Sequence, residues 1–124
     1  MDNFASTNTH SSMELGYIAS ARKQFAYYKL LGERTFAQLT DEELFWQQNA
    51  ETNSVATIVK HLWGNMRSRW TDFLTTDGEK AGRDREREFR LTHEPRASVV
   101  ERWNDGWSLV FGAFGLLEAG MVLT

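Results

Sequence analysis

The stretch VVERWNDGWSLVFGAFGLL, residues 99–117, shows the most regular helical pattern in the sequence. Its large apolar residues recur at alternating steps of three and four, at Val100, Trp103, Trp107, Val110, Phe114 and Leu117. This spacing places them on one face of an α-helix. We predict that the helix begins between Thr92 and Pro95, because proline is tolerated in a first turn, and that it ends near Gly120.

A similar pattern occurs near the N-terminus. Ser11 and Glu14 fit a capping box, in which side chains satisfy the free backbone amides at the start of a helix. A helix of about 28 residues is predicted to follow. Its predicted core face comprises Ile18, Ala21, Phe25, Tyr28, Gly32, Thr35 and Leu39.

A second capping box, formed by Thr40 and Glu43, predicts a short helical turn. Asn53 or Ser54 caps the next long helix, which is predicted to reach about Thr75. Its predicted core face comprises Val55, Val59, Leu62, Met66, Trp70 and Phe73. Three long helices with this spacing predict an all-α, up-and-down helical bundle.

The chain divides into a tail and one domain. Residues 1–10 are small and polar and are predicted to form a flexible tail, whereas residues 11–124 form a single helical-bundle domain. Within that domain, residues 76–91 interleave acidic and basic side chains. This pattern is typical of a charged, solvated loop, which Phe89 is expected to hold against the body of the protein.

Composition excludes several classes of function. The chain of 124 residues has a formal net charge of −3, whereas a nucleic-acid-binding protein usually has a basic excess. The absence of cysteine excludes a thiolate nucleophile and a cysteine-ligated zinc site. The most apolar segment, residues 109–123, is shorter than a membrane-spanning helix, and the N-terminus does not resemble a signal peptide. We therefore expect a cytoplasmic protein that binds neither nucleic acid nor membrane.

The second long helix carries a polar stripe beside its core face. The stripe spans about 80° of a helical wheel and contains Ser54, Ile58, His61, Asn65, Ser68 and Asp72. If the stripe faces solvent, it has no function. If it faces a cavity between helices, the His61 imidazole can bind a metal ion or carry a proton. The other two histidines, His10 and His93, are expected to be solvated.

Two further groups of side chains each allow two interpretations. Four tryptophans on predicted helices form either a core or a ligand-binding aromatic box: Trp63, Trp70, Trp103 and Trp107. Five arginines form either an anion site or a surface that interleaved acidic residues neutralise: Arg67, Arg69, Arg83, Arg85 and Arg87. We predict that Trp103 and Trp107 are core residues, and that Arg83, Arg85 and Arg87 are solvated.

The run TNSVATIVKHLWGNMRSRWTDF, residues 52–73, resembles the DinB-like superfamily, in particular its branch of small bacterial proteins of unassigned function. The runs DGEK (residues 77–80), RDREREF (83–89) and ERWNDGW (101–107) continue the resemblance, which covers about residues 14–113. It implies a four-helix bundle that holds a divalent metal, commonly nickel or zinc, with three histidines. Characterised relatives include thiol-dependent transferases and isomerases that use low-molecular-weight thiols such as bacillithiol or mycothiol.

By this resemblance, His61 matches the first metal ligand, and Asn65 and Asp72 are candidates to support it by hydrogen bonding. The family's other two ligands form an HxxxH pair on the last helix, and this sequence contains no such pair. We therefore expect the fourth helix to be missing or replaced and metal binding by this chain to be weak or absent. No catalytic residue is assigned.

Two functions follow as hypotheses. The chain is either a DinB-like protein related to metal-dependent thiol transferases, or a non-catalytic helical module that assembles with a partner or with itself. A homodimer is expected in either case, because three helices leave an apolar groove that a fourth helix would fill. The apolar segment from Phe111 to Leu123 is the predicted contact.

Overall fold

The computed structural model of the chain describes residues 12–76, 80, 82–90 and 94–120. Within these residues all regular secondary structure is helical, which confirms the predicted all-α class. The three long helices are α1 (Ser12–Gln38), α3 (Val55–Trp70) and α5 (Arg96–Glu118), and two short helices lie between them, α2 (Asp41–Leu44) and α4 (Arg85–Glu88). None of these described helices combines the length and apolar character needed to cross a membrane.

Local hydrogen bonds begin and end the helices close to the predicted residues. Thr40 and Glu43 form the capping box of α2, because each backbone amide donates to the other's side chain, at 2.8 and 3.2 Å. Ser54 caps α3 by accepting the amide of Thr57 at 3.1 Å. Gly120 follows α5 with φ 92°, the left-handed conformation that favours glycine after a helix.

The end of α3 differs from the prediction. The helix stops at Trp70, short of the predicted end near Thr75. Asp72 has φ 49°, a left-handed conformation that an α-helix cannot continue. Its carbonyl accepts the amides of Thr75 and Thr76 at 3.0 Å and closes a turn. Phe73 nevertheless stays near the core, with its ring centroid 6.0 Å from that of Trp70, so the apolar spacing continues past the helix.

Aromatic side chains of α5 occupy the centre of the core. Trp103 and Trp107 are only 7% and 6% exposed, and Val110 and Phe114 are buried on the same face, so these predicted core positions are confirmed. Phe25 of α1 packs against them, with ring centroids 6.3 Å from Trp107 and 5.4 Å from Phe114. Trp103 and Trp107 are therefore core residues and not part of a ligand-binding box.

The contacts between long helices give their directions. Along α3 and α5, Trp63 lies beside Asp105 and Trp70 beside Phe114, so these two helices run the same way. Along α1 and α5 the order is reversed, with Arg22 beside Glu118, Phe25 beside Phe114 and Phe36 beside Trp103. The bundle is confirmed, but its helices do not simply alternate up and down. The described residues between α3 and α5 run back along α3, with Lys80 beside Ser68, Glu88 beside Gly64 and Arg90 beside Lys60.

Three predicted core positions are exposed. In α1, Phe36 is buried, whereas Thr35 and Tyr28 are exposed. Alternating steps of three and four residues average 3.5, whereas an ideal α-helix has 3.6 residues per turn. A predicted stripe with that spacing therefore shifts about 20° around the helix every seven residues, and the positions counted from Ile18 leave the core face. Leu62 on α3 is also exposed.

Part of the predicted dimer contact belongs to the core of the chain itself. Phe114 is buried, and the Arg22 guanidinium lies over the Phe111 ring, 5.6 Å from its centroid. Leu116 is exposed, and residues 121–124 lie outside the described part of the chain. Residues 1–11, which include the predicted tail and His10, also lie outside it, as does His93.

Candidate functional site

The described residues of the predicted charged loop are 76, 80 and 82–90; most are exposed, but Lys80, Arg83 and Glu88 are at least partly buried. The Asp84 side chain accepts the amide of Arg87 at 3.1 Å and begins α4. Glu88, in the last position of that helix, is only 8% exposed. The interpretation of this segment as a solvated loop is therefore wrong at Glu88, and the predicted anchor Phe89 is itself 42% exposed.

The buried carboxylate of Glu88 accepts three N–H groups. Arg83 donates from Nε at 3.0 Å and from Nη2 at 3.1 Å, one to each carboxylate oxygen. His61 Nδ1 lies 3.1 Å from Oε1. The side chain of Arg83 is 7% exposed, so the prediction that it is solvated is wrong. Arg85 and Arg87 are exposed, as predicted.

Gly64 provides the space that this carboxylate occupies. It lies on α3 close to His61, and a Cβ at this position would overlap the Glu88 side chain. Only a residue without a side chain lets Glu88 approach the backbone of α3 this closely. The contact joins two segments that are far apart in sequence.

The electrostatics of the network favour an ionised Glu88. Burial opposes ionisation, but hydrogen bonds from Arg83 and His61, together with their charges, outweigh it and hold the pKa of Glu88 below its usual value. Because an ionised carboxylate can only accept, Nδ1 of His61 donates the hydrogen of this bond. The Phe89 ring packs on the imidazole, with centroids 4.5 Å apart.

A pocket of about 840 Å³ lies between α3, the segment around α4 and the start of α5. Its basic lining residues are Lys60, Arg67, Lys80, Arg83, Arg87, Arg90 and Arg102. Its acidic lining residues are Asp84, Glu88 and Glu94. Seven basic and three acidic groups give the lining a formal charge of +4, in a chain whose total is −3, so the remaining residues carry −7. Positive charge is therefore concentrated at this pocket.

Trp63 forms one wall of the pocket. Its indole Nε1 donates to the Asp105 carboxylate at 2.7 Å, which fixes the ring between α3 and α5. The guanidinium groups of Arg67 and Arg102 lie over this ring, 4.9 and 5.7 Å from its centroid. Such cation–π contacts hold positive charge beside an apolar surface. Trp63 thus lines a pocket, unlike Trp103 and Trp107.

The basic groups differ in how they are neutralised. Arg83 pairs with Glu88, and Arg102 pairs with Glu94. Arg67 and Arg87 are exposed, and neither forms an ion pair with any residue that the structure describes.

The charged form of Lys60 is also destabilised by its surroundings. Burial, and then the charge of Arg102, lower the pKa of Lys60. An added anion would relieve this repulsion between neighbouring cations.

A family model described as "Protein of unknown function (DUF1572)" matches residues 12–123. The chain belongs to this family. No curated protein and no solved structure matches it. The family description names neither an activity nor the DinB-like superfamily.

The structure separates the residues of the predicted polar stripe. Ser68 is buried, and its hydroxyl accepts the amide of Lys80 at 3.3 Å. Asn65 is half-buried on α3, one turn beyond His61. Asp72 lies beyond the end of α3, exposed, in the turn that its own carbonyl closes. The group that orients His61 is the Glu88 carboxylate, which accepts a hydrogen bond from Nδ1 and was not among the predicted site residues.

The residues around His61 do not form a metal site within the described part of the chain. A carboxylate behind a histidine is a common support for a metal ligand. However, the described residues contain no group of three or more histidine, cysteine, aspartate or glutamate side chains arranged to hold an ion. A catalytic divalent metal generally requires about three protein ligands, so this donor set does not fit one.

The sequence did not identify Glu88 and Arg83 as buried, because their neighbours in sequence carry opposite charges. In RDREREF, residues 83–89, every charge has an opposite charge nearby, as on a solvated surface. The usable signal was Asp84, a preferred N-cap residue, which predicts a helical turn in the segment. Gly64 was a second signal. It lies inside a helix where no turn requires glycine, and such a glycine indicates that another segment approaches closely.

Proposed function

We propose that this chain is a binding protein for a small anionic molecule, held in the pocket between α3 and α4. The observation that carries the proposal is the pair Arg67 and Arg87, exposed at a pocket of formal charge +4 and without ion pairs among the described residues. Arginine recognises carboxylates and phosphates through paired N–H groups. An anion between these two side chains would replace water with charge-assisted hydrogen bonds.

The pocket favours a ligand with more than one negative charge. A monoanion would leave most of the positive charge uncompensated, whereas a dicarboxylate, tricarboxylate or phosphate ester compensates more of it. The volume of about 840 Å³ lies in the usual range for small-molecule sites. The Trp63 wall offers an apolar surface for the ligand's uncharged part.

A low-molecular-weight thiol that carries carboxylates belongs to this class of ligand. The resemblance to DinB-like proteins implies such a thiol, and an anion pocket is compatible with it. A transferase role would add chemistry to this binding function. No step through a nickel or zinc ion enters the proposal, because the described donors around His61 are too few.

Isothermal titration calorimetry tests the proposal, with citrate, glutathione and inorganic phosphate as probes and glucose as the neutral control. We expect saturable binding of the anions, tightest for citrate, that weakens as salt is added. Arg67→Gln should reduce citrate affinity about 10-fold or more, because a hydrogen bond to a charged group contributes about 1.5–3 kcal/mol.

Arg34→Gln is the matched control, since Arg34 is an exposed helical arginine of α1 outside the pocket lining. Its citrate affinity should equal that of the unmodified chain. The proposal fails if no anion saturates the protein, or if the double variant Arg67→Gln, Arg87→Gln binds citrate as tightly as the unmodified chain does.

A further inference from the structure

Helix α1 has an exposed face without charge. On a wheel of 100° per residue, seven exposed residues between Met13 and Thr35 fall within about 80°. They are Met13, Tyr17, Ser20, Gln24, Tyr28, Leu31 and Thr35. The charged residues of α1 all lie outside this sector, although the helix is 27 residues long. An exposed helix face usually carries charged side chains, so this one differs from an ordinary solvated surface.

This face is distinct from the one that packs into the bundle. Phe25 and Phe36, which contact the α5 tryptophans, lie about 100° or more from Gln24 on the wheel. Tyr17 is 79% exposed, so no other described part of the chain covers this end of the face. Tyr28 and Leu31 are also exposed, at 52% and 39%, so the part of the chain that the structure describes leaves this face uncovered.

We propose that a second copy of this chain covers the face, with the two α1 helices antiparallel across a two-fold axis at Gln24. The seven positions are symmetric about this residue, at distances of 4, 7 and 11 along the chain. The axis therefore places Tyr17 opposite Leu31 and the small Ser20 opposite the large Tyr28. The two Gln24 amides meet at the axis, where each can donate to the other.

The charge of the face fits a pair of identical helices, and its size fits a weak association. The seven residues span about 33 Å along a helix that is about 10–12 Å across, so the face covers about 350–400 Å² on each copy. The pair buries about 700–800 Å², which is less than a permanent interface and typical of a weak, transient one. A two-fold interface places a surface against its own copy, and a face without charge brings no like charges together.

This interface differs from the one predicted from the sequence at residues 111–123. The proposed interface lies on the exposed face of α1. Phe111 and Phe114 are not part of it, because they already pack against another face of α1 within the same chain. It is also independent of the anion pocket, which lies on α3, α4 and α5.

Single-cysteine cross-linking tests the axis directly, since the chain has no cysteine of its own. Gln24→Cys places one thiol per copy at the proposed axis, where the Cα atoms lie within disulfide reach. Air oxidation with copper–phenanthroline should convert most of the protein to a covalent dimer. Ala37→Cys is the matched control, because Ala37 is exposed on the same helix but points away from the face, and it should stay largely monomeric on a non-reducing gel.

Sedimentation equilibrium gives the second measurement. The unmodified chain should be a dimer at tens of micromolar, and Leu31→Lys should make it monomeric with an unchanged circular dichroism spectrum. Leu116→Lys, at an exposed leucine of α5, should leave the dimer intact. A monomeric unmodified chain would overturn the proposal, and so would a dimer that Leu31→Lys leaves intact or that cross-links equally well through both cysteines.

Discussion

The aromatic core and the basic pocket both lie where α3 meets α5, but they are stabilised in opposite ways. In the core, Trp107 is buried among rings, and its indole Nε1 has no acceptor among the described residues. In the pocket, the buried Glu88 accepts three N–H groups from Arg83 and His61. The core tolerates one unsatisfied donor because burial of apolar surface outweighs it. The pocket tolerates the buried charge of Glu88 because both carboxylate oxygens accept hydrogen bonds, two of them from the oppositely charged Arg83.

The core bears mainly on the stability of the fold, whereas the pocket bears on the proposed recognition of a ligand. Apolar burial has little directional preference and stabilises the fold whatever ligand is present. The Glu88 network holds the segment around α4 against α3, and this positions the arginines of the pocket. Changes in the core should therefore alter stability more than changes in the pocket.

The largest expected effect is in the core. Trp107→Ala should lower the free energy of unfolding by about 3–5 kcal/mol, from lost burial and the cavity that remains. Arg85→Ala, at an exposed residue of α4, should change it by less than about 0.5 kcal/mol. Urea unfolding followed by circular dichroism measures both. Equal losses in the two variants would contradict the assignment of Trp107 to the core.

An intermediate effect is expected in the Glu88 network. Glu88→Gln leaves the buried Arg83 without its counter-charge and should cost about 2–3 kcal/mol at pH 7. Because the folded-state pKa of Glu88 lies below its unfolded value, the network's contribution is present above the unfolded pKa, about 4.3, and is lost as pH falls through the folded pKa. The two proteins should therefore converge in stability in acid. A difference that is constant from pH 7 to pH 3 would show that the lost charge is not the cause.

The smallest effect tests the space at Gly64. Gly64→Ala should destabilise the protein by about 1–2 kcal/mol, since the new methyl group displaces Glu88. Gly112→Ala is the matched control, because Gly112 is an exposed helical glycine of α5 with no atom near its would-be Cβ. That variant should gain about 0.5–1 kcal/mol from helix propensity. Stabilisation by both substitutions would mean that Glu88 does not lie against α3.

Much of the fold was predictable because its signals are local. The caps at Thr40 and Ser54 depend on residues three positions away, and the stripe from Trp103 to Phe114 depends on the period of a single helix. The ends of helices were less predictable. Asp72 terminates α3 in a left-handed turn, while the apolar spacing continues to Phe73.

The candidate site was predictable only in part. Arg67, Arg83 and Arg87 were grouped as one possible anion site, and all three line the pocket. Glu88 was assigned to the solvated surface, because its oppositely charged neighbours in sequence give no indication that its carboxylate is buried in the folded chain. His61 was selected as a candidate metal ligand, and its hydrogen-bond partner in the folded chain, Glu88, lies 27 residues later and belongs to no sequence motif.

The sequence by itself determined the helices, their caps and the tryptophans of the core, because each depends on the period and chemistry of one continuous segment. Only the tertiary structure decided that α3 and α5 run in the same direction, that Glu88 enters the gap at Gly64, and that seven basic side chains share one pocket. These features depend on contacts between segments that are distant in sequence, such as the contact of Glu88 with His61, which brings their polar atoms within 3.1 Å. Whether such a charge is solvated or buried is set by the partners it meets there, and local sequence carries no measure of them.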